Sequence, residues 1–170
     1  MARTFAAALA AVAALIAATP ICAEEPADLP LRKAGHWEIK TVMDEGFGPR
    51  EQMLTMCIDA DMERNTASAS KQEHAKSCSL YEIKKSGDGT VVDAKCQFEG
   101  RNVESRTEMS GDFQRAFKIL ITSTTSGSER GQSIVVKRTI TQEGKYLGED
   151  CGGLQAGEAM GSDGHKVMVQ

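Results

Sequence analysis

From Gly35 to Asp150 the apolar positions recur mostly at every second residue, the period of a strand buried on one side. HWEIKTVM sets Trp37, Ile39 and Met43 against His36, Glu38 and Lys40. After the EGFGPR turn, QMLTMCID places Leu54, Met56 and Ile58 on one side and Cys57 on the other. LYEIKK and TVVDAKCQFEG flank SGDG, whose Asp-Gly is a hairpin signal; Ala94, Cys96 and Phe98 alternate with Asp93, Lys95, Gln97 and Glu99. RNVESRTEMSG puts Val103, Ser105, Thr107 and Met109 opposite Asn102, Glu104, Arg106 and Glu108, a strand with one wet face. FQRAFKILITSTT also fits a helical spacing through Phe113, Phe117 and Leu120, but its Ile and Thr content favours a long strand. GQSIVVKRTITQ, ended at Glu143-Gly144, and KYLGED complete the series.

One segment breaks the alternation. Residues 59–77 (DADMERNTASASKQEHAKS) have Asp59 or Asp61 to cap a helix, followed by Ala, Glu, Lys and Gln with a thin apolar stripe. The pattern predicts a mainly β fold: an antiparallel meander of seven to eight strands curled into a barrel or half-barrel, with one short, mostly exposed helix inserted after the second strand. Residues 24–34, with two prolines, read as an extended leader, residues 35–151 as a single domain, and the Gly-rich residues 152–170 as a flexible tail.

The N-terminus adds a location. An apolar run from Phe5 to Ala18 follows Arg3 and leads to Ala23, the form of a signal peptide, residues 1–23, cut after Ala23. Ile21 before Cys22 argues against lipoprotein processing, so no stable membrane anchor is expected. Removing 23 of 170 residues leaves 147, with 24 acids against 19 bases. That size suits one core, and a mildly acidic chain without clustered Lys or Arg carries no footprint for nucleic acid.

Four cysteines remain, Cys57, Cys78, Cys96 and Cys151, an even number in an exported domain and hence a disulfide framework with three possible connectivities. Long gaps and the lack of a CxxC pair count against zinc or redox chemistry. His36, His74 and His165 fall in a strand, the helix and the tail, with nothing to force them together. Asp59, Asp61, Glu63 and Asn65 start like a calcium loop, but Arg64 stands where Gly is needed and Ser70 where a bidentate Glu is needed. They read as helix-start acids. Ser68, Ser70, Ser77, Ser123, Ser126 and Ser128 sit in no nucleophile motif, and SGDG and GSDG lack the Lys and helix of a phosphate loop. No catalytic residue, metal site or cofactor is expected.

Gly35-x-Trp37 resembles the opening motif of lipocalins, in which a late-strand Arg such as Arg138 packs on the Trp. The other lipocalin signatures are missing, and Trp37 reads as a core anchor with Gly35 as the turn leading into its strand. The G-x-W-E opening (Gly35, Trp37, Glu38), the four spaced cysteines and the Gly148-Glu149-Asp150-Cys151 ending together resemble the exported proteobacterial family catalogued as domain of unknown function 3617, over roughly residues 31–151. Members usually end in Gly-acid-Cys, so this chain carries one extra acid. The resemblance implies a Gram-negative periplasm and an unassigned function, and it transfers no site residues.

Cys57 and Cys78 bracket the helical insertion, so the nested pairing Cys57–Cys78 with Cys96–Cys151 is the expected connectivity. A concave sheet face bearing Met43, Met56, Met109 and several Ile and Phe side chains suggests a non-catalytic binding module for a small apolar or lipid-like ligand. The competing reading is a protein-interaction or envelope-maintenance factor without an internal pocket, with an envelope protein as partner. An enzyme has the least support, since no nucleophile, base and orienting group can be placed together.

Overall fold

The structure, a computed structural model, describes residues 28–129 and 131–169. The expected signal peptide and residues 24–27 of the leader lie outside them. Among the described residues are nine strands and one helix: β1 Gly35–Asp44, β2 Arg50–Ile58, α1 Ala60–Ser77, β3 Cys78–Ser86, β4 Gly89–Phe98, β5 Arg101–Gly111, β6 Ala116–Glu129, β7 Gln132–Gly148, β8 Glu158–Gly161 and β9 Lys166–Met168. All pair antiparallel in one sheet of order β3-β4-β5-β6-β7-β1-β2-β8-β9. The sheet is curled but does not close, so the half-barrel form applies and β3 and β9 remain as edges.

The core gathers where β1 lies between β7 and β2. Register places Trp37 beside Tyr146 and Met56, and Ile39 beside Gly144 and Leu54, so the alternate positions of four strands converge on one face. Trp37 is fully buried, its ring 5.5 Å from that of Phe117 and 5.4 Å from that of Tyr146, and Phe113 stacks on Phe117 at 5.3 Å. The indole N–H is satisfied by the Lys33 carbonyl at 2.8 Å, as burial of that polar edge requires. Trp37 is therefore the core anchor. Arg138, the partner that a lipocalin-like reading would give it, lies eight residues from Tyr146 along β7, about 26 Å at strand spacing, and pairs with Glu45.

Two glycines make this packing possible. Gly144 lies opposite Phe117, and a Cβ there would sit 2.0 Å from the Phe117 ring, so the ring rests on bare backbone. Gly35 has φ +129°, and a Cβ would meet the Gly148 carbonyl at 2.5 Å. Gly144 therefore does not end a strand: the two segments read as separate are one 17-residue strand, β7. Phe113 also departs from its expected strand. It sits in a left-handed turn (φ 55°) held by the Asp112 carboxylate, which accepts from the backbone N–H of Gln114, Arg115 and Ala116. That turn lets two rings four residues apart stack, which explains the helix-like spacing.

The expected disulfides are not the ones formed. Cys57 bonds to Cys151, and Cys78 to Cys96. The nested pairing fails because α1 is a continuous helix of 18 residues, about 27 Å long. Cys57 and Cys78 stand at its two ends, while bridged Cα atoms must come within about 7 Å. Cys78 instead faces Cys96 across the β3–β4 ladder, and His36 of β1 has Cys57 on one side and Gly148 on the other, so the chain leaving β7 passes Cys57. The extra acid is accommodated in this passage, with the Asp150 side chain accepting from the Gly152 N–H.

The tail is also ordered as far as it is described. Cys151 is tied to the end of β2, Leu154 is buried, and β8 extends the sheet at the outer edge of β2 with Ala159 fully buried against Met56. Strands of four and three residues are too short to reveal a period among glycines that serve as turns. The leader is likewise part of the domain: Asp28 pairs with Lys71 and Arg32 with Glu63, both on α1, and the Lys33 N–H donates to the Phe113 carbonyl.

Candidate functional site

Capped by Asp59, whose Oδ1 accepts from the N–H of Asp61 (2.9 Å) and Met62 (3.0 Å), α1 has little apolar surface, and its long-range polar contacts go to the leader. Glu63 is its one buried acid. Both carboxylate oxygens take hydrogen bonds from the Arg32 guanidinium (2.9 and 2.6 Å), and Oε1 also accepts the Arg32 backbone N–H at 3.1 Å. This bidentate pair, with the exposed Asp28–Lys71 pair, straps the leader across the helix. The Lys71 ammonium, by its hydrogen bond, holds the Asp28 carboxyl below the ordinary carboxylate value.

Under the strap lies a cleft of about 230 Å³ between leader, α1 and sheet, lined by Leu29, Leu31, Ala67, Met109, Phe113 and Ile119. Its polar groups are few: Arg32 and Glu63, already paired, with Gln142, Thr66 and Ser70. Met43, Met56 and Met109 do share one sheet face with Ile39, Ile119, Ile121, Ile140 and Phe117. Met56 is spent in the core, whereas Met109 reaches the cleft.

The opposite face of β3–β7 forms a wider hollow of about 580 Å³ with a different character. Its lining is charged and the charges pair across strands, Arg106 with Asp93 and Lys95 with Glu104, while Glu108, two residues along β5, also pairs with Arg106. The hydrogen bond that Arg106 donates to Glu108, then those it donates to Asp93, raise its pKa above the ordinary value. Such a ladder is a solvated sheet surface whose charges are answered by neighbours.

The histidines are not brought together. His36 lies beside Cys57, and its buried Nε2 has no hydrogen-bond partner among the described residues; His165 is in the turn before β9. His74 is different. It sits in the last turn of α1, stacks on Tyr81 at 4.5 Å, and has a ligating nitrogen within 4.8 Å of the sulfurs of Cys78 and Cys96. Sequence reasoning missed this cluster, although the four-residue step from His74 to Cys78, one turn of a helix, was its visible sign. Of the acids resembling a calcium loop, Asp59 is spent as the cap, Asp61 on Arg64 and Glu63 on Arg32. Ser70 Oγ lies 3.4 Å from His74 Nδ1, but that nitrogen is engaged by the Ser70 carbonyl at 2.6 Å, so it is not placed as a base for the hydroxyl.

These features define a class: an open, disulfide-stapled antiparallel half-barrel with a helix and an N-terminal strap over one end. The chain belongs to the family described as Protein of unknown function (DUF3617), whose model matches residues 32–151. No curated protein and no solved structure matches it. Among the described residues no helix is long and apolar enough to cross a membrane.

Proposed function

We propose that this protein is an exported, non-catalytic periplasmic binding module that holds a small apolar, lipid-like ligand in the cleft beneath the leader. The observation that carries this reading is the contrast between two hollows: the cleft is apolar, with its one ion pair satisfied, while the larger hollow is open and charged. A volume of about 230 Å³ lies below the roughly 300–1,000 Å³ of drug-sized pockets, so the ligand is small or only its end is enclosed. Export is supported by the two disulfides and by the apolar N-terminal run.

Native mass spectrometry of protein taken from its own periplasm tests this. An adduct is expected in the native chain and lost in Ala67→Trp, which fills the cleft from the helix side. A bare mass in the native chain contradicts the reading.

A second reading, a docking factor for an envelope protein, is favoured by Phe47, which is 98% exposed at the tip of the β1–β2 hairpin. A bare mass with a co-purifying protein that is lost in Phe47→Ser supports this alternative.

A further inference from the structure

We propose that reduction of the Cys78–Cys96 disulfide opens a binding site for one copper(I) ion, with Cys78 and Cys96 as thiolate ligands and His74 as the third. This goes beyond the apolar-ligand reading and concerns the other end of α1.

Three features converge on it. A ring nitrogen of His74 and the sulfurs of Cys78 and Cys96 lie within 4.8 Å of one another, so that small adjustments of the two cysteine side chains would bring them around one ion. Backbone structure holds their positions: His74 and Cys78 are one helical turn apart, and Cys78 is directly opposite Cys96 in a hydrogen-bonded ladder that persists when the sulfurs part. The imidazole is also prepared. The Ser70 carbonyl, 2.6 Å from Nδ1, can only accept, so Nδ1 carries the proton and Nε2 keeps its lone pair. The Tyr81 ring, stacked on His74, limits its rotation.

The chemistry selects the ion. Two thiolates and an imidazole form a soft donor set, and three protein ligands fall short of the four that close a structural zinc site. Copper(I) accepts soft three-coordination. The sulfurs are reachable, because an open recess of about 610 Å³ is lined by Cys78, Cys96, Lys76 and Lys95. The steps balance with a dithiol as reductant: the dithiol becomes a disulfide as Cys78–Cys96 becomes two thiols. Copper(I) then replaces two thiol protons, which leave to solvent, and copper stays in the +1 state. The resulting anionic centre would open on a recess whose lining includes Lys76 and Lys95, the latter paired with Glu104.

The test uses the full mature chain, reduced with a dithiol, freed of it under anaerobic conditions and titrated with copper(I) alone against a chromophoric chelator. One equivalent should bind to reduced protein and none to oxidised protein. X-ray absorption of the loaded native chain should show two sulfurs and one nitrogen, a readout independent of whether any variant folds. His74→Ala should weaken binding by at least about tenfold, and Cys78→Ser/Cys96→Ser should abolish it. The proposal is overturned if reduced protein takes up no copper(I), if the oxidised form binds equally, if the shell holds sulfur only, or if either variant binds as tightly as the native chain.

Discussion

The two disulfides share a chemistry and differ in what they join. Cys78–Cys96 crosses a ladder whose strands are already paired, with the cysteines 18 positions apart. Cys57–Cys151 spans 94 residues and ties the end of β2 to the segment that leaves β7. On the chain-entropy model the two contribute about 3.2 and about 4.7 kcal/mol. Their surroundings widen that gap. The long staple borders the Trp37 core and positions the segment that carries Leu154 and Ala159 into burial. The short one sits on the outer wing, at the junction of a polar helix and an edge strand. One bond fastens the core to the segment beyond β7, and the other reinforces strands that are already paired.

The largest effect should come from breaking the long staple. Cys57→Ser/Cys151→Ser should lose about 4.7 kcal/mol in urea denaturation, against about 3.2 for Cys78→Ser/Cys96→Ser. Equal losses would erase the distinction between the two ends. Trp37→Ala should cost about 3–5 kcal/mol, because it empties the centre of the aromatic cluster. Val103→Ala, half-buried on the wing, should cost only about 1 kcal/mol in the same assay.

Between the two regions stands the strap. Arg32→Met leaves Glu63 buried without its cation and should cost about 3 kcal/mol, while adding Glu63→Leu should restore much of that loss. A double variant as unstable as the single one would show that the strap contributes through packing rather than charge.

The smallest effect concerns acid. Backbone N–H groups, first those of Arg115 and Ala116 and then that of Gln114, hold the Asp112 carboxyl below its ordinary value of 3.8. A depressed folded pKa adds stability above the unfolded value and loses it as pH falls through the folded one. Asp112→Asn keeps an acceptor oxygen but not the charge. The difference in melting temperature between it and the native chain should therefore be constant near neutrality and shrink below about pH 3.8; a difference independent of pH would contradict this origin.

The strands of the wing were legible because each has one wet face: Asn102, Glu104, Arg106 and Glu108 alternate with half-buried partners over a full strand. The helix was legible through Asp59. What escaped reading depends on distant residues. Gly144 looks like a strand end until Phe117 is laid across it, and β8 becomes a strand by pairing with the edge of β2, to whose end Cys57–Cys151 ties the chain seven residues earlier. Glu63 reads as a helix-start acid until Arg32 reaches it from 31 positions away. The cleft is tertiary in the same sense, since leader, α1 and three strands bring its walls together, whereas the His74 cluster is local to the end of α1 and the β3–β4 hairpin.

The division between the two bonds is tested most directly by stepwise reduction of the native chain, with alkylation of freed thiols and peptide mapping at each reductant concentration. Alkylated Cys78 and Cys96 should appear first, while far-UV circular dichroism and the near-UV signal of Trp37 stay native. Cys57 and Cys151 should open only later, together with the loss of both signals. Opening of Cys57–Cys151 first, or of both bonds together as the fold collapses, would contradict the account.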